Sequence, residues 1–177
     1  MKRRRTPVCT HRKSLSLLAV SLLCVLAACH DDSGETDPVE AGIADGCGHL
    51  KGGPYKAFTL AKDAASKPPD LTLKHHRHDL NFVDVTGGKG GVGTWKFSEK
   101  ADYVVLLSDD VPLKVTGGDG KEVAKEKSLV KPSGCAEAAV AHVYELTVGT
   151  YTFEFGPATA TGVKLTLTEA VAGEHED

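Results

Sequence analysis

Large, mostly apolar side chains recur at every second position in the segment Val140-Ala-His-Val-Tyr-Glu-Leu-Thr-Val-Gly-Thr-Tyr-Thr-Phe-Glu-Phe155, both before and after Gly149. Before Gly149, the alternate positions that share a face are Val140, His142, Tyr144, Leu146 and Val148. After it they are Tyr151, Phe153 and Phe155. Successive side chains of a strand point to opposite faces of a sheet, so a period of two predicts a pair of half-buried β-strands here.

The same period recurs along most of the chain. It is found in the ranges 92–97, 103–107, 111–115 and 163–167, with turn-forming Gly or Asp clusters between them. Short strands at this spacing predict an all-β fold, a single antiparallel β-sandwich of the jelly-roll or Ig-like kind. One turn cluster, Gly87-Gly88-Lys89-Gly90-Gly91, superficially matches a nucleotide-binding loop. It lacks the second lysine and precedes a strand pattern instead of a helix, so we expect a flexible hairpin loop.

The segment from Val140 to Pro157 also resembles a known module. Its centre, Glu-Leu-Thr-Val-Gly-Thr-Tyr-Thr-Phe, is similar to the closing hairpin of β-sandwich modules of the bacterial pre-peptidase C-terminal type, with their "leucine, x, x, glycine, x, tyrosine" pattern. The resemblance implies a small accessory or binding module and not a catalyst.

The N-terminal residues 1–28 have the order of an export signal, a basic stretch followed by an apolar one. The apolar run from 14 to 28 is shorter than the roughly 20 residues that a membrane-spanning helix needs. It ends in Leu26-Ala27-Ala28-Cys29, which resembles the lipobox of bacterial lipoproteins. The resemblance implies cleavage before Cys29, acylation of Cys29, and a membrane-anchored envelope lipoprotein, on the outer membrane facing the periplasm or the surface.

Composition divides the rest of the chain. Residues 29–46 are acidic and interrupted by Gly and Pro, which predicts a lipidated disordered tether. Residues 47–170 form the predicted sandwich domain, and the polar residues 171–177 form a disordered tail. We find no convincing helical pattern.

Five cysteines leave an odd one to explain in an exported chain. Cys9 and Cys24 lie in the signal, and Cys29 takes the lipid. Cys47 and Cys135 remain, and we expect them to form a disulfide in an oxidising compartment. Metal ligation by their two thiolates is the weaker alternative, because neither lies in a C-x-x-C pair.

Charge excludes one class of partner. Six of the 21 basic residues precede Cys29, so 15 remain against 24 acidic residues, a net charge of about −9. A nucleic-acid-binding domain is normally basic. Acyl chains, and not a basic patch, are therefore expected to attach the protein to the membrane.

Histidines supply the candidate metal ligands. In Lys74-His-His-Arg-His-Asp79, His76 and His78 would point to one face of a strand and offer two imidazoles to zinc or copper(II). A third ligand would come from His142 or His49. The alternative is that His76 and His78 face solvent and that His142 is buried and bonded to a backbone carbonyl or to Tyr144.

Other chemistry is weakly represented. Trp95 is the one tryptophan and the candidate for stacking on a sugar, against the alternative of filling the core. No serine lies in a Gly-x-Ser-x-Gly motif, and there is no His-Glu-x-x-His. We therefore expect a non-enzymatic module without a resident cofactor that binds a protein, glycan or metal. The alternatives are a zinc- or copper(II)-binding lipoprotein and a glycoside hydrolase whose carboxylates meet only in space.

Overall fold

The structure, a computed structural model of the chain, describes residues 36–171. The predicted export signal and Cys29 lie outside these residues, as does nearly all of the predicted tail. In chain order the elements are α1 (Pro38–Gly52), β1 (Tyr55–Thr59), β2 (Arg77–Asn81), β3 (Val83–Val85), β4 (Gly88–Phe97), β5 (Ala101–Leu107), β6 (Leu113–Thr116), β7 (Lys127–Val130), β8 (Val140–Leu146), β9 (Gly149–Ala158) and β10 (Gly162–Glu169).

The strands form two sheets. One has six strands in the order β1-β2-β10-β5-β8-β7, and the other has four in the order β3-β4-β9-β6. Strands β1 and β2 are parallel, and the other pairs are antiparallel. The predicted all-β sandwich is confirmed.

The core between the sheets explains the alternation of the sequence. Strand β5 directs Tyr103, Val105 and Leu107 into this core, and β9 directs Phe153 and Phe155 into it from the opposite sheet. Strand β8 adds Tyr144, which is fully buried. Close-packed aromatic and branched side chains from both inner faces are what a sandwich needs.

The two strands of the segment that resembles a closing hairpin do not pair with each other. Strand β8 pairs with β5 and β7, whereas β9 pairs with β4 and β6 in the other sheet. The two apolar faces therefore oppose each other across the core instead of lying side by side. Between them the chain crosses from sheet to sheet, which leaves Val148 68% exposed.

A helix covers the outer face of the six-stranded sheet, and it corrects the predicted domain boundary. Residues 38–46, expected in the tether, form the first part of α1. Asp37 accepts a hydrogen bond from the Val39 N–H at 2.9 Å and caps the helix, which begins at Pro38. The residues at helical spacing that bury its inner face are Ile43, Cys47 and Leu50.

Small residues on the inner face of α1 bring this helix close to the sheet. A Cβ on Gly46 would lie 2.8 Å from Leu106 Cδ1, so any larger residue there requires the buried Leu106 side chain to shift. The Thr166 hydroxyl donates to the Gly46 carbonyl at 3.1 Å, and the Thr168 hydroxyl donates to the Gly42 carbonyl at 2.8 Å. The helix backbone is thus hydrogen-bonded directly to β10, and the domain begins about nine residues earlier than expected.

The cluster Gly87–Gly91 contributes only one residue, Gly87, to a hairpin turn: Thr86 and Gly87 connect β3 to β4, and the other four residues of the cluster belong to β4. Strand β4 begins at Gly88, and its glycines pass close under neighbouring segments. A Cβ on Gly90 would meet the Phe155 carbonyl oxygen, and one on Gly91 would lie 2.6 Å from Leu60 Cβ. The absence of side chains permits this packing. As predicted, the glycine cluster leads into a strand and not into the helix that a nucleotide-binding loop would need.

The predicted disulfide is present. Cys47 of α1 and Cys135, in the loop before β8, are joined with a Cα–Cα distance of 5.6 Å. Thiolate ligation by this pair is therefore excluded in the oxidised protein. Within residues 36–171, no helix has the length and apolar character needed to cross a membrane.

Candidate functional site

A cavity of about 390 Å³ lies between α1 and one end of the sandwich. The first half of α1 forms one wall and the loop at 72–75 forms a second, while the ends of β4, β5 and β10 form the floor. Ala41, Gly42 and Ala44 give the helical wall a smooth surface because their side chains are so small.

The floor of the cavity is apolar. It consists of Trp95, Phe97, Tyr103 and Leu167, all of which also belong to the core between the sheets. Tyr103 brings the one hydroxyl of this group, and burial, with Glu169 and Glu99 nearby, raises its pKa to about 12. The hydroxyl is therefore neutral over the physiological range.

Trp95 is buried and fills the core. It is only 2% exposed and packs against Phe153, at 6.0 Å, and His78, at 4.7 Å between ring centroids. It is not available as a surface platform for a sugar. A ligand can reach it only from the cavity, whose floor it helps to form.

Charged groups surround the cavity. Lys74 pairs with Glu99 at 3.3 Å, and both side chains are more than half exposed. The other polar residues of the lining are Lys96, Asp45, Glu169, His75, Thr72, Ser98 and Thr168. An exposed pair such as Lys74–Glu99 contributes at most about 1 kcal/mol, so a ligand head group can displace it.

The structure separates His76 from His78. The strand β2 begins only at Arg77, and His75 has a positive φ of 55°, so His76 does not continue the strand alternation. His76 Nδ1 lies 2.7 Å from the Lys74 carbonyl oxygen, while His78 is fully buried and its Nε2 lies 2.9 Å from the Leu71 carbonyl oxygen. A carbonyl oxygen only accepts, so Nε2 carries the proton and donates. Burial lowers the pKa of His78, which keeps this ring neutral.

His142 is also buried, at 5% exposure, and remote from the other candidates. Its Nδ1 lies 2.9 Å from the Ser128 hydroxyl on the adjacent strand β7. Burial first, and then the Lys125 ammonium, lower the pKa of His142 to about 4. The histidine has a polar partner, as expected, but that partner is Ser128 and not a backbone carbonyl or Tyr144.

The fourth candidate, His49, does take part in a cluster, together with Asp45 and His75, which were not among the predicted ligands. Asp45 and His49 of α1 and His75 of the 72–75 loop each place one ligand atom within 4.8 Å of the others. His76, His78 and His142 belong to no such group within residues 36–171. The signal that could have indicated it was the Asp-x-x-x-His spacing, which places both side chains on one face of a helix. That signal was missed because no helix was expected there.

Carboxylates also converge, but on an open surface. Asp102, Glu126 and Glu145 approach within 4.8 Å, all three are exposed, and Glu145 pairs with Lys100 at 3.0 Å. They do not line the cavity beside α1. Asp109 and Asp119 lie in turns, where they accept hydrogen bonds from Ser108 and from the Lys121 N–H.

Comparison with protein-family models and with curated proteins finds no match to this chain. The function of the domain is therefore inferred from the geometry of the cavity and of the residues around it.

Proposed function

We propose that this chain is a lipid-anchored lipoprotein of the bacterial cell envelope whose β-sandwich domain binds a small, mainly apolar ligand, without catalysis. The ligand class that fits best is an acyl chain with a polar head. The observation that carries the proposal is the cavity of about 390 Å³ beside α1, with its aromatic floor and polar rim. Pockets for small ligands have volumes of about 300–1,000 Å³, mostly apolar walls and a few polar groups.

The surroundings of the cavity support an amphiphilic ligand over a glycan. Apart from the Tyr103 hydroxyl and the Trp95 indole N–H, the floor offers no polar group, so most sugar hydroxyls bound there would lose hydrogen bonds to water without replacement. An acyl chain has no such cost. Lys74 and Lys96 at the rim can pair with an acidic head group.

Trp95 gives the test a built-in reporter, since it is the one tryptophan of the chain and lines the cavity. Lauric acid is titrated into the protein from His30 onward, which retains every described residue and lacks the cysteine expected to be acylated. Both core clusters and the disulfide lie within this piece. We expect a saturable change in tryptophan emission.

Two helix variants provide the matched comparison. Ala44→Phe places a ring in the cavity from an exposed helix position and should weaken lauric acid binding at least about tenfold. Lys51→Phe adds the same ring on the same helix, at an exposed position outside the cavity lining, and should bind as the parent protein does. An absence of saturable binding, or equal affinity in the two variants, would refute the proposal.

The anchor is tested separately. In the full chain, mass spectrometry of the N-terminal peptide should find acyl groups on Cys29 and no residues before it. Cys29→Ser should abolish both the acylation and the cleavage. Cleavage elsewhere in the unmodified chain would contradict this part of the proposal.

A further inference from the structure

We propose that Asp45, His49 and His75 bind one divalent transition-metal ion of the zinc and copper(II) class, at the edge of the cavity. The site is distinct from the His76-x-His78 pair, which the structure separates. It does not depend on the acyl-ligand proposal, although Asp45 and His75 border the cavity.

The first argument is the chemistry of the three groups. Two imidazoles and a carboxylate form a ligand set that suits zinc and copper(II). The three ligand atoms lie within 4.8 Å of one another, and the His49 Nε2 to Asp45 Oδ1 distance is 3.5 Å. Zinc at about 2.0–2.1 Å from each atom would bring them to about 3.3 Å apart. His75 is an exposed loop residue, so rotation of its side chain can supply most of this small closure.

The second argument is the orientation of His49. Its Nδ1 lies 3.4 Å from the Gly53 carbonyl oxygen, which only accepts a hydrogen bond. In the neutral tautomer that donates from Nδ1 to Gly53, Nε2 carries the lone pair and lies 3.5 Å from Asp45 Oδ1, so one metal ion can bind both atoms. A metal-bound histidine typically has this arrangement, with its second ring nitrogen bonded to a carbonyl oxygen.

The third argument is the rigidity of two of the ligands. Asp45 and His49 are one turn apart on α1, and Cys47 between them is tied to Cys135 on the opposite side of the helix. The His49 and His75 rings are in edge contact, with centroids 5.4 Å apart. Because the two helical ligands are already held in place, only the side chain of His75 loses conformational entropy when the metal binds.

The test uses cobalt(II), whose visible absorption reports tetrahedral coordination, and zinc in competition with it. The protein from His30 onward is first shown to contain no free thiol, because reduced Cys47 and Cys135 lie beside Glu137 and would form a competing group. We expect one cobalt per chain, displaced by one zinc. His75→Ala and His49→Ala should each weaken binding at least about tenfold, as loss of a ligand or of its orienting partner does.

His76→Ala is the matched control, since it removes the neighbouring imidazole that the structure keeps out of the cluster. Its cobalt spectrum and affinity should equal those of the parent protein. Circular dichroism of each variant checks that the fold is retained. Failure of the folded parent protein to bind cobalt or zinc would overturn the proposal. So would binding that is lost in His76→Ala but kept in His75→Ala. Lauric acid binding, measured by Trp95 emission, reports on the cavity independently of either result.

Discussion

Replacing His142 with glutamine should flatten the dependence of stability on pH. The pKa of His142 is lowered to about 4 in the folded protein, first by burial and then by Lys125. In the unfolded chain it returns to about 6.5. Between these two pKa values His142 is protonated in the unfolded chain but neutral in the folded protein. The stabilisation is therefore complete above pH 6.5 and is lost as the pH falls towards 4.

The magnitude follows from the two pKa values. One proton taken up on unfolding changes the free energy of unfolding by about 1.4 kcal/mol per pH unit, and the whole interval corresponds to about 3 kcal/mol. His78, whose pKa burial also lowers, adds to the loss in the same direction. His142→Gln should remove only the first contribution. Its free energy of unfolding should then decline less steeply, by about 1.4 kcal/mol per pH unit.

Urea denaturation of metal-free protein, followed by Trp95 fluorescence at several pH values between 7 and 4, measures these slopes. A constant loss of stability from the missing imidazole does not matter, because each slope is obtained within one protein. Lys125→Gln removes a cation that opposes protonation, so its loss of stability should be smaller. Parallel curves for the parent protein and His142→Gln would show that His142 is not held neutral by burial.

Two further predictions concern the attachment of α1. Cys47→Ala with Cys135→Ala opens a loop of sequence separation 88 and should lower the free energy of unfolding by about 2–4 kcal/mol in urea denaturation, whereas an unchanged midpoint would contradict a stabilising bridge. Gly46→Ala should destabilise the domain because its Cβ would lie 2.8 Å from Leu106, while Gly48→Ala, with open space around its Cβ, should stabilise it by about 0.5–1 kcal/mol through helix propensity. Thermal unfolding of the two variants should shift in opposite directions, and a common shift would exclude the close approach at Gly46.

The strands could be predicted because the alternation that produces them is local in sequence, and the disulfide could be predicted from the count of cysteines. Tyr103, Val105 and Leu107 alternate with Val104 and Leu106, and both sets are buried because β5 has the core on one face and α1 on the other. The cysteine pair followed from the removal of three other cysteines from the count. The pairing of strands could not be predicted, since an apolar face fits equally well beside its neighbour or opposite it.

The helix and the site could not be predicted, for a related reason. Glycine and alanine in residues 38–46 reduce the apolar area of α1, so the sequence shows no amphipathic helical pattern there. These small residues stabilise the helix by letting it approach the sheet closely, and a close approach leaves no periodic signal in the sequence. Without the helix, Asp45 and His49 had no common face. The choice of His76 and His78 assumed a strand that begins two residues too early. The positive φ of His75 turns that residue towards α1 instead.

The bridge between Cys47 and Cys135 also determines when the site can exist. Cys47 lies midway between two of the three ligands, and its partner is far away in sequence. While the thiols are reduced, non-covalent packing alone attaches the helix, and the effective concentration of Asp45 and His49 near His75 is lower. Oxidation raises that concentration without altering a single ligand. On the proposal that the chain is exported, the disulfide forms after export, and the reduced chain in the cytosol would bind metal more weakly than the cross-linked protein does.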